Sequence, residues 1–197
     1  MQRYTPLLRS LLTVVILFWA SAAFAAEPYF PNLPVTLQDG RQVRFYRDLL
    51  AGKTVVVHSF FATCHGACPV MLGKMRALQN ALRDQLGKDV FLISISVDPR
   101  TDTPGKLDEL AKSLDAKPGW VFVSGNERNV NWILYRLGQY LPAKEDHSTM
   151  LLIGNEPAGN WAKVHASEPL EEILNVLDRV SHSDRRDPRL NGDRRVQ

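Results

Sequence analysis

The chain has 197 residues, 45% of them hydrophobic and 23% charged, with 12 Gly, 12 Pro and two Cys. That balance excludes a disordered polar chain, a collagen-like repeat and a small disulfide scaffold. Its 24 basic side chains exceed the 21 acidic ones only slightly, and loss of Arg3 and Arg9 with an N-terminal leader would leave 22 against 21, so no charge excess favours nucleic acid as a partner.

Arg3 and Arg9 precede an apolar run from Leu11 to Ala20, which Ser21 to Ala26 continues with small residues. The 16 residues from Leu11 to Ala26 fall short of the roughly 20 that cross a bilayer. Ala23-Phe24-Ala25 has the form of a signal-peptidase site. Residues 1–25 are therefore expected to be a signal peptide cut after Ala25, with an uncleaved membrane anchor as the alternative. Both readings export the domain. At the other end, residues 183–197 carry five Arg broken up by Asp, Pro and Gly without any apolar period, the pattern of a disordered tail. One domain is expected between them.

Val35 to Gln38 and Arg41 to Phe45 flank Asp39-Gly40, which predicts an opening hairpin with a two-residue turn. Thr54 to Phe61 is a β-branched and aromatic run with no polar face, the mark of a central strand. Beyond Pro69, Met71, Met75, Leu78, Leu82 and Leu86 recur at helical spacing up to Gly87. A second buried strand follows over Val90 to Val97, then a helix capped by Thr103 and begun by Pro104. Trp120 to Ser124 reads as a strand, and Asn126 caps a helix carrying Val130, Ile133, Leu134 and Leu137. Two strands, Thr149 to Ile153 and Trp161 to His165, and a helix from Pro169 to Val180 complete the series. This alternation predicts an α/β fold, a mixed sheet flanked by helices, with function in loops at the carboxyl ends of parallel strands.

One such loop, Ala62-Thr-Cys64-His65-Gly-Ala-Cys68-Pro69, holds both cysteines. Two sulfurs four residues apart at a strand-to-helix turn are available for redox exchange, for a soft metal such as Cu(I), or for a plain structural disulfide. So short a loop stabilises by at most about 3 kcal/mol when closed, which makes stability a thin reason for the pair. Pro69 is expected to keep Cys68 outside the helix. Among the histidines, His58 falls in a buried strand, His165 ends a strand and His182 begins the tail, all suited to structural or solvated roles. His65 sits between the cysteines and could face water or act as a ligand. His147, in the polar loop Lys144 to Thr149, could reach the cysteines if a parallel neighbour brought its strand alongside, or could be an exposed loop residue. Asp98 and Asp102 could order the loops around the site or recognise a partner, and ordinary turn and capping roles fit them at least as well.

Cys64-x-x-x-Cys68-Pro69 after one strand, Ser96-Val-Asp-Pro-Arg-Thr-Asp-Thr-Pro104 after the next, and Asp146-His147-Ser148 before a later one together resemble the Sco/SenC family over Leu33 to Val180. The resemblance implies a thioredoxin-like domain over 33–180, exported to the periplasm or membrane tethered, and monomeric. It implies one copper ion held by Cys64, Cys68 and His147, and a role in assembling the dinuclear copper centre of cytochrome c oxidase, whose copper-receiving subunit, or another copper protein, would be the partner. The chain departs from many members in having no acidic residue within His65-Gly66-Ala67 and no aspartate at Leu152-Ile153-Gly154.

Two functions therefore stand: a metallochaperone that turns over no substrate, and a thiol-disulfide oxidoreductase in which Cys64 and Cys68 are the redox pair that keeps partner cysteines reduced. The four-residue spacing suits chelation better than exchange. A peroxidase lacks identifiable activating residues.

Overall fold

The computed structural model describes residues 28–63, 68–143 and 148–182. The predicted leader and tail lie outside these residues, as do Cys64, His65 and His147. Among the described residues, no helix is long and apolar enough to cross a membrane.

The opening hairpin pairs β1 (Pro34–Leu37) with β2 (Gln42–Arg44) in antiparallel register, Thr36 against Gln42. Its turn is longer than the expected two residues. Leu37 N donates to Arg41 O and Gly40 N to Leu37 O, both at 2.9 Å, with Gly40 at φ +82°. This is a three-residue loop whose last position needs the left-handed backbone that glycine adopts freely. β2 stops at Arg44, and Phe45–Leu50 forms a single π-helical turn with Phe45, Leu49 and Leu50 buried. Asp48 makes that change of direction by accepting the Arg44 backbone N–H at 2.6 Å. The Arg47 guanidinium, and after it the Arg44 N–H, holds the Asp48 carboxyl down at about 2.

Seven strands form one sheet in the order β2-β1-β5-β4-β3-β6-β7. β3 (Thr54–Phe60), β4 (Val90–Ser96) and β5 (Trp120–Ser124) are parallel neighbours. β6 (Met150–Asn155) runs antiparallel to β3, and β7 (Asn160–His165) antiparallel to β6. Every residue of β3 except Thr54 is buried, which confirms the reading of a strand without a wet face.

Strand alternation sends the two sets of β3 side chains into two cores. Val56 and Phe60, with Leu92, Trp120 and Phe122, meet α1 (Cys68–Leu82), α2 (Pro104–Ser113) and α4 (Leu170–His182). Val55 and Val57, with Ile93, Ile95 and Val123, meet the Phe45–Leu50 turn and α3 (Glu127–Leu137). The predicted caps hold. Thr103 Oγ1 accepts from Lys106 N with Pro104 behind it, and Asn126 Oδ1 accepts from Arg128 N and Asn129 N; Gly138, which the sequence reading did not single out, ends α3 at φ +64°.

Several boundaries differ from the expectations. Cys68 is the first residue of α1 rather than a loop residue, because Pro69, having no N–H to satisfy, fits a helix's first turn. α1 ends at Leu82 and not Leu86, since Arg83 turns to φ +48° and a short 3-10 turn over Arg83–Gln85 follows. Leu86 instead bridges to Val90. α4 extends to His182, which places that histidine in the last helical turn and not in the tail. Gly154, where the resemblance had suggested an acidic residue, lies directly beneath the Trp161 ring, which fills the space a Cβ would need.

Leu134 is fully packed between α3 and the sheet. Leu134→Ala should therefore lower stability by about 2–5 kcal/mol, read as a shifted midpoint in denaturant unfolding with an unchanged slope.

Candidate metal centre

The register of β3 determines which loops can meet. Val57 stands opposite Leu152 and Thr54 opposite Asn155 in the antiparallel β3/β6 pair, so the first residue of β6, Met150, lies at the end of the sheet where β3 finishes at Phe60. The parallel β3/β4 pair brings Ser96 beside Phe60, and Val97 N donates to Phe60 O at 2.8 Å. The segment leaving β3 toward Cys64, the segment leaving β4 toward Asp98 and Asp102, and the segment entering β6 from His147 thus all attach at one end of the sheet. A parallel neighbour had been expected to carry His147 toward the cysteines. The neighbour is antiparallel, and only that direction puts the amino end of β6 next to the carboxyl end of β3.

The attachment points are held by buried side chains. Asp102 is fully buried, and its Oδ2 accepts the Ala62 backbone N–H at 3.0 Å and the Ser96 hydroxyl at 2.6 Å. Ser96 Oγ accepts in turn from Asp98 N at 3.0 Å, and Ser124 Oγ donates to Asp102 O at 2.8 Å. Thr101 N and Asp102 N both donate to Asp98 O, closing the Asp-Pro turn. Asp98 therefore keeps its expected turn role. Asp102 does not cap α2, because Thr103 does, and its carboxylate instead ties the loop after β4 to the chain leaving β3. On the other side, Gln139 is 1% exposed and its Nε2 donates to Val57 O and Met150 O, both at 3.3 Å, fixing the chain that leaves α3 against β3 and β6.

The histidines divide as expected from their positions. His58 is buried with Nε2 paired to Ser94 Oγ at 2.7 Å, and the Trp120 indole N–H donates to the same oxygen at 2.9 Å. His165 is exposed and paired with Thr149 Oγ1 and Ser167 Oγ at 2.8 and 2.7 Å. His182 is exposed and paired with Asp178. Among the described residues, no group of three or more His, Cys, Asp and Glu could hold a metal ion. The candidate ligands Cys64, His65 and His147 belong to segments outside them, and of Cys68 the structure describes its place at the start of α1.

The family model for SCO1/SenC matches residues 32–180. The chain belongs to the SCO1/SenC family. It is 34% identical over 104 residues to the SCO1 protein homolog of Bacillus subtilis, a match covering 52% of this chain and 50% of that protein, so the similarity spans about half of the relative's length. Among solved structures, Arabidopsis thaliana ScoI with copper bound superposes with a TM-score of 0.65 at 21% identity, over 79% of this chain and 100% of the other. BsSco, described as a member of the Sco family of cytochrome c oxidase assembly proteins and as carrying a disulfide switch, superposes at 0.63 with 23% identity, over 77% and 94%. These superpositions bear out the thioredoxin-like mixed sheet.

Sequence reasoning missed Gln139 altogether, and for Asp102 it left a loop-ordering role open beside a capping one without indicating its partners. A Gln after a helix-ending Gly carries no pattern that marks it as buried, and the partners of Asp102 lie 6 and 40 positions away.

In this Sco-family domain His58, Ser94 and Trp120 form a hydrogen-bonded group inside the core. Ser94→Ala would leave the indole N–H and the His58 nitrogen without their shared oxygen, and should cost about 1–3 kcal/mol in denaturant unfolding.

Proposed function

We propose that this protein is a copper metallochaperone that holds one copper ion through Cys64, Cys68 and His147 and delivers it toward the dinuclear copper centre of cytochrome c oxidase. The observation that carries this reading is the family match over 32–180 coinciding with the only two cysteines of the chain in a Cys-x-x-x-Cys-Pro segment. Two relatives support it by what they are: a Sco protein with copper bound and a family member concerned with oxidase assembly. Donor chemistry supports it too, since two thiolates and an imidazole form a soft set that suits Cu(I). The attachment of both ligand-bearing segments at one end of the sheet is compatible with a shared site.

Copper in this reading is cargo, and the residues must release it as well as bind it. Three donors on segments that are anchored at their bases meet that need better than a closed four-ligand cage. A disulfide between Cys64 and Cys68 removes both thiolates, so the pair must be reduced before copper can enter. That dependence gives the second reading, thiol-disulfide exchange with partner cysteines, its foothold, and the disulfide switch described for BsSco favours keeping it. In that exchange the Cys64–Cys68 dithiol passes two electrons and two protons to a partner disulfide, which becomes a dithiol while Cys64 and Cys68 become a disulfide.

Anaerobic titration of the reduced protein with Cu(I) against a competing chelator should give one copper per chain. His147→Ala should weaken that binding at least tenfold, about 1.4 kcal/mol, and change the Cu(II) spectrum, while Cys64 and Cys68 still oxidise to a disulfide. His65→Ala should change little. Weak, nonstoichiometric binding by the reduced parent would remove the metallochaperone reading, and a larger effect from His65→Ala would move the imidazole donor to the cysteine loop.

Export completes the proposal, with the domain in the periplasm or tethered to the membrane facing it. Mass spectrometry of protein from its native host should find a chain starting at Ala26 or Glu27; an intact N-terminus in the membrane fraction would establish the anchored form instead.

A further inference from the structure

We propose that Asp102 is the positioning residue of the cysteine-bearing turn: its buried carboxylate clamps the Ala62 backbone two residues before Cys64 and so sets how Cys64 is presented to Cys68 and to copper. This deepens the metallochaperone reading and rests on it for the copper part alone.

Burying a carboxylate is costly unless its acceptors are used, and Asp102 is fully buried at the end of a seven-strand sheet. The bonds that hold it are directed. Oδ2 takes the Ala62 N–H and the Ser96 hydroxyl, Asp102 N is tied to Asp98 O, and Asp102 O takes the Ser124 hydroxyl. Oδ1 is buried and makes no hydrogen bond among the described residues. Backbone and side chain are thus locked to the ends of β4 and β5, and among the described residues the hydrogen bond that reaches beyond these two strands and their loops is the one to Ala62. A purely structural acid at this place would be expected to cap α2, whose first turn begins two residues later, yet Thr103 performs that task. The clamp acts on the last stretch of chain before the first cysteine. A charge-assisted bond to a backbone N–H is among the stronger hydrogen bonds available, and fixing the residues around a ligand commonly changes metal affinity by ten- to a hundredfold.

The test uses the full chain, with Asp102→Ala, Asp102→Asn and Ser96→Ala, and Leu177→Ala as a comparator. Leu177 is buried and lines a cleft shared with Thr54, at the opposite end of β3, so its loss weakens the core without touching the clamp. Three quantities are read: amide hydrogen exchange of Ala62 in the metal-free protein, the reduction potential of the Cys64–Cys68 couple against a dithiol buffer, and Cu(I) affinity. Asp102→Ala should speed exchange at Ala62 at least tenfold, make the disulfide easier to reduce and weaken Cu(I) at least tenfold. Asp102→Asn, whose amide oxygen still accepts the Ala62 N–H, should recover most of each loss. Leu177→Ala should lower the melting temperature comparably and move none of the three. Should Asp102→Ala fail to fold, Ser96→Ala, which removes the hydroxyl that steadies Oδ2, should still raise Ala62 exchange and weaken copper severalfold. Unchanged exchange and potential in the folded variants, or equal changes in Leu177→Ala, would overturn the proposal. A parent that binds no copper while Asp102→Ala still moves exchange and potential would sink the metallochaperone reading and leave the clamp standing.

Discussion

β3 is paired on both edges and buried on both faces, and the rest of the molecule is arranged around that constraint. A strand with no free edge and no wet face has one register available, because a one-residue slip would exchange the contents of the two cores. Val55 and Val57 belong to the core under α3, and Val56 and Phe60 to the core under α1, α2 and α4. Once β3 is fixed between β4 and β6, the places where the chain leaves β3, leaves β4 and enters β6 are fixed too.

Those three places share one end of the sheet for a reason of direction. A parallel neighbour brings carboxyl ends together, whereas an antiparallel neighbour brings its amino end to a carboxyl end. β4 is the first kind and β6 the second. The fold thus collects segments far apart in sequence without requiring any of them to be regular. The strands beneath supply a rigid frame to which the segments bearing Cys64 and His147 attach.

Buried polar groups mark where that frame is made specific. Ser94 joins His58 to Trp120 within the core, Ser96 and Asp102 join the loop after β4 to the chain leaving β3, and Gln139 bridges β3 and β6. Each group satisfies backbone or side-chain partners that a purely apolar core could not orient, and two of the three lie at the end of the sheet where the cysteine and histidine segments attach. Apolar packing makes the domain stable, and these directed bonds determine where its loops begin.

The order and kind of the elements were legible from local pattern alone. Hydrophobic period distinguished the strands of β3, β4 and β5 from the amphipathic helices, and Thr103-Pro104 and Asn126 marked helix starts because capping depends on atoms within three or four residues. The cysteine pair and the distal histidine, with the resemblance they carry, were likewise present in the one-dimensional string. Exact ends were less so: the Gly40 loop, the stop at Arg83 and the helical place of Cys68 depend on backbone angles that neighbouring packing selects. What only the tertiary structure decided was the antiparallel placing of β6, the burial of Asp102 against Ala62 and the bridging by Gln139. These are bonds between residues 6 to 82 positions apart, and no local periodicity records them, because their free energy exists only after the sheet has brought the partners within reach.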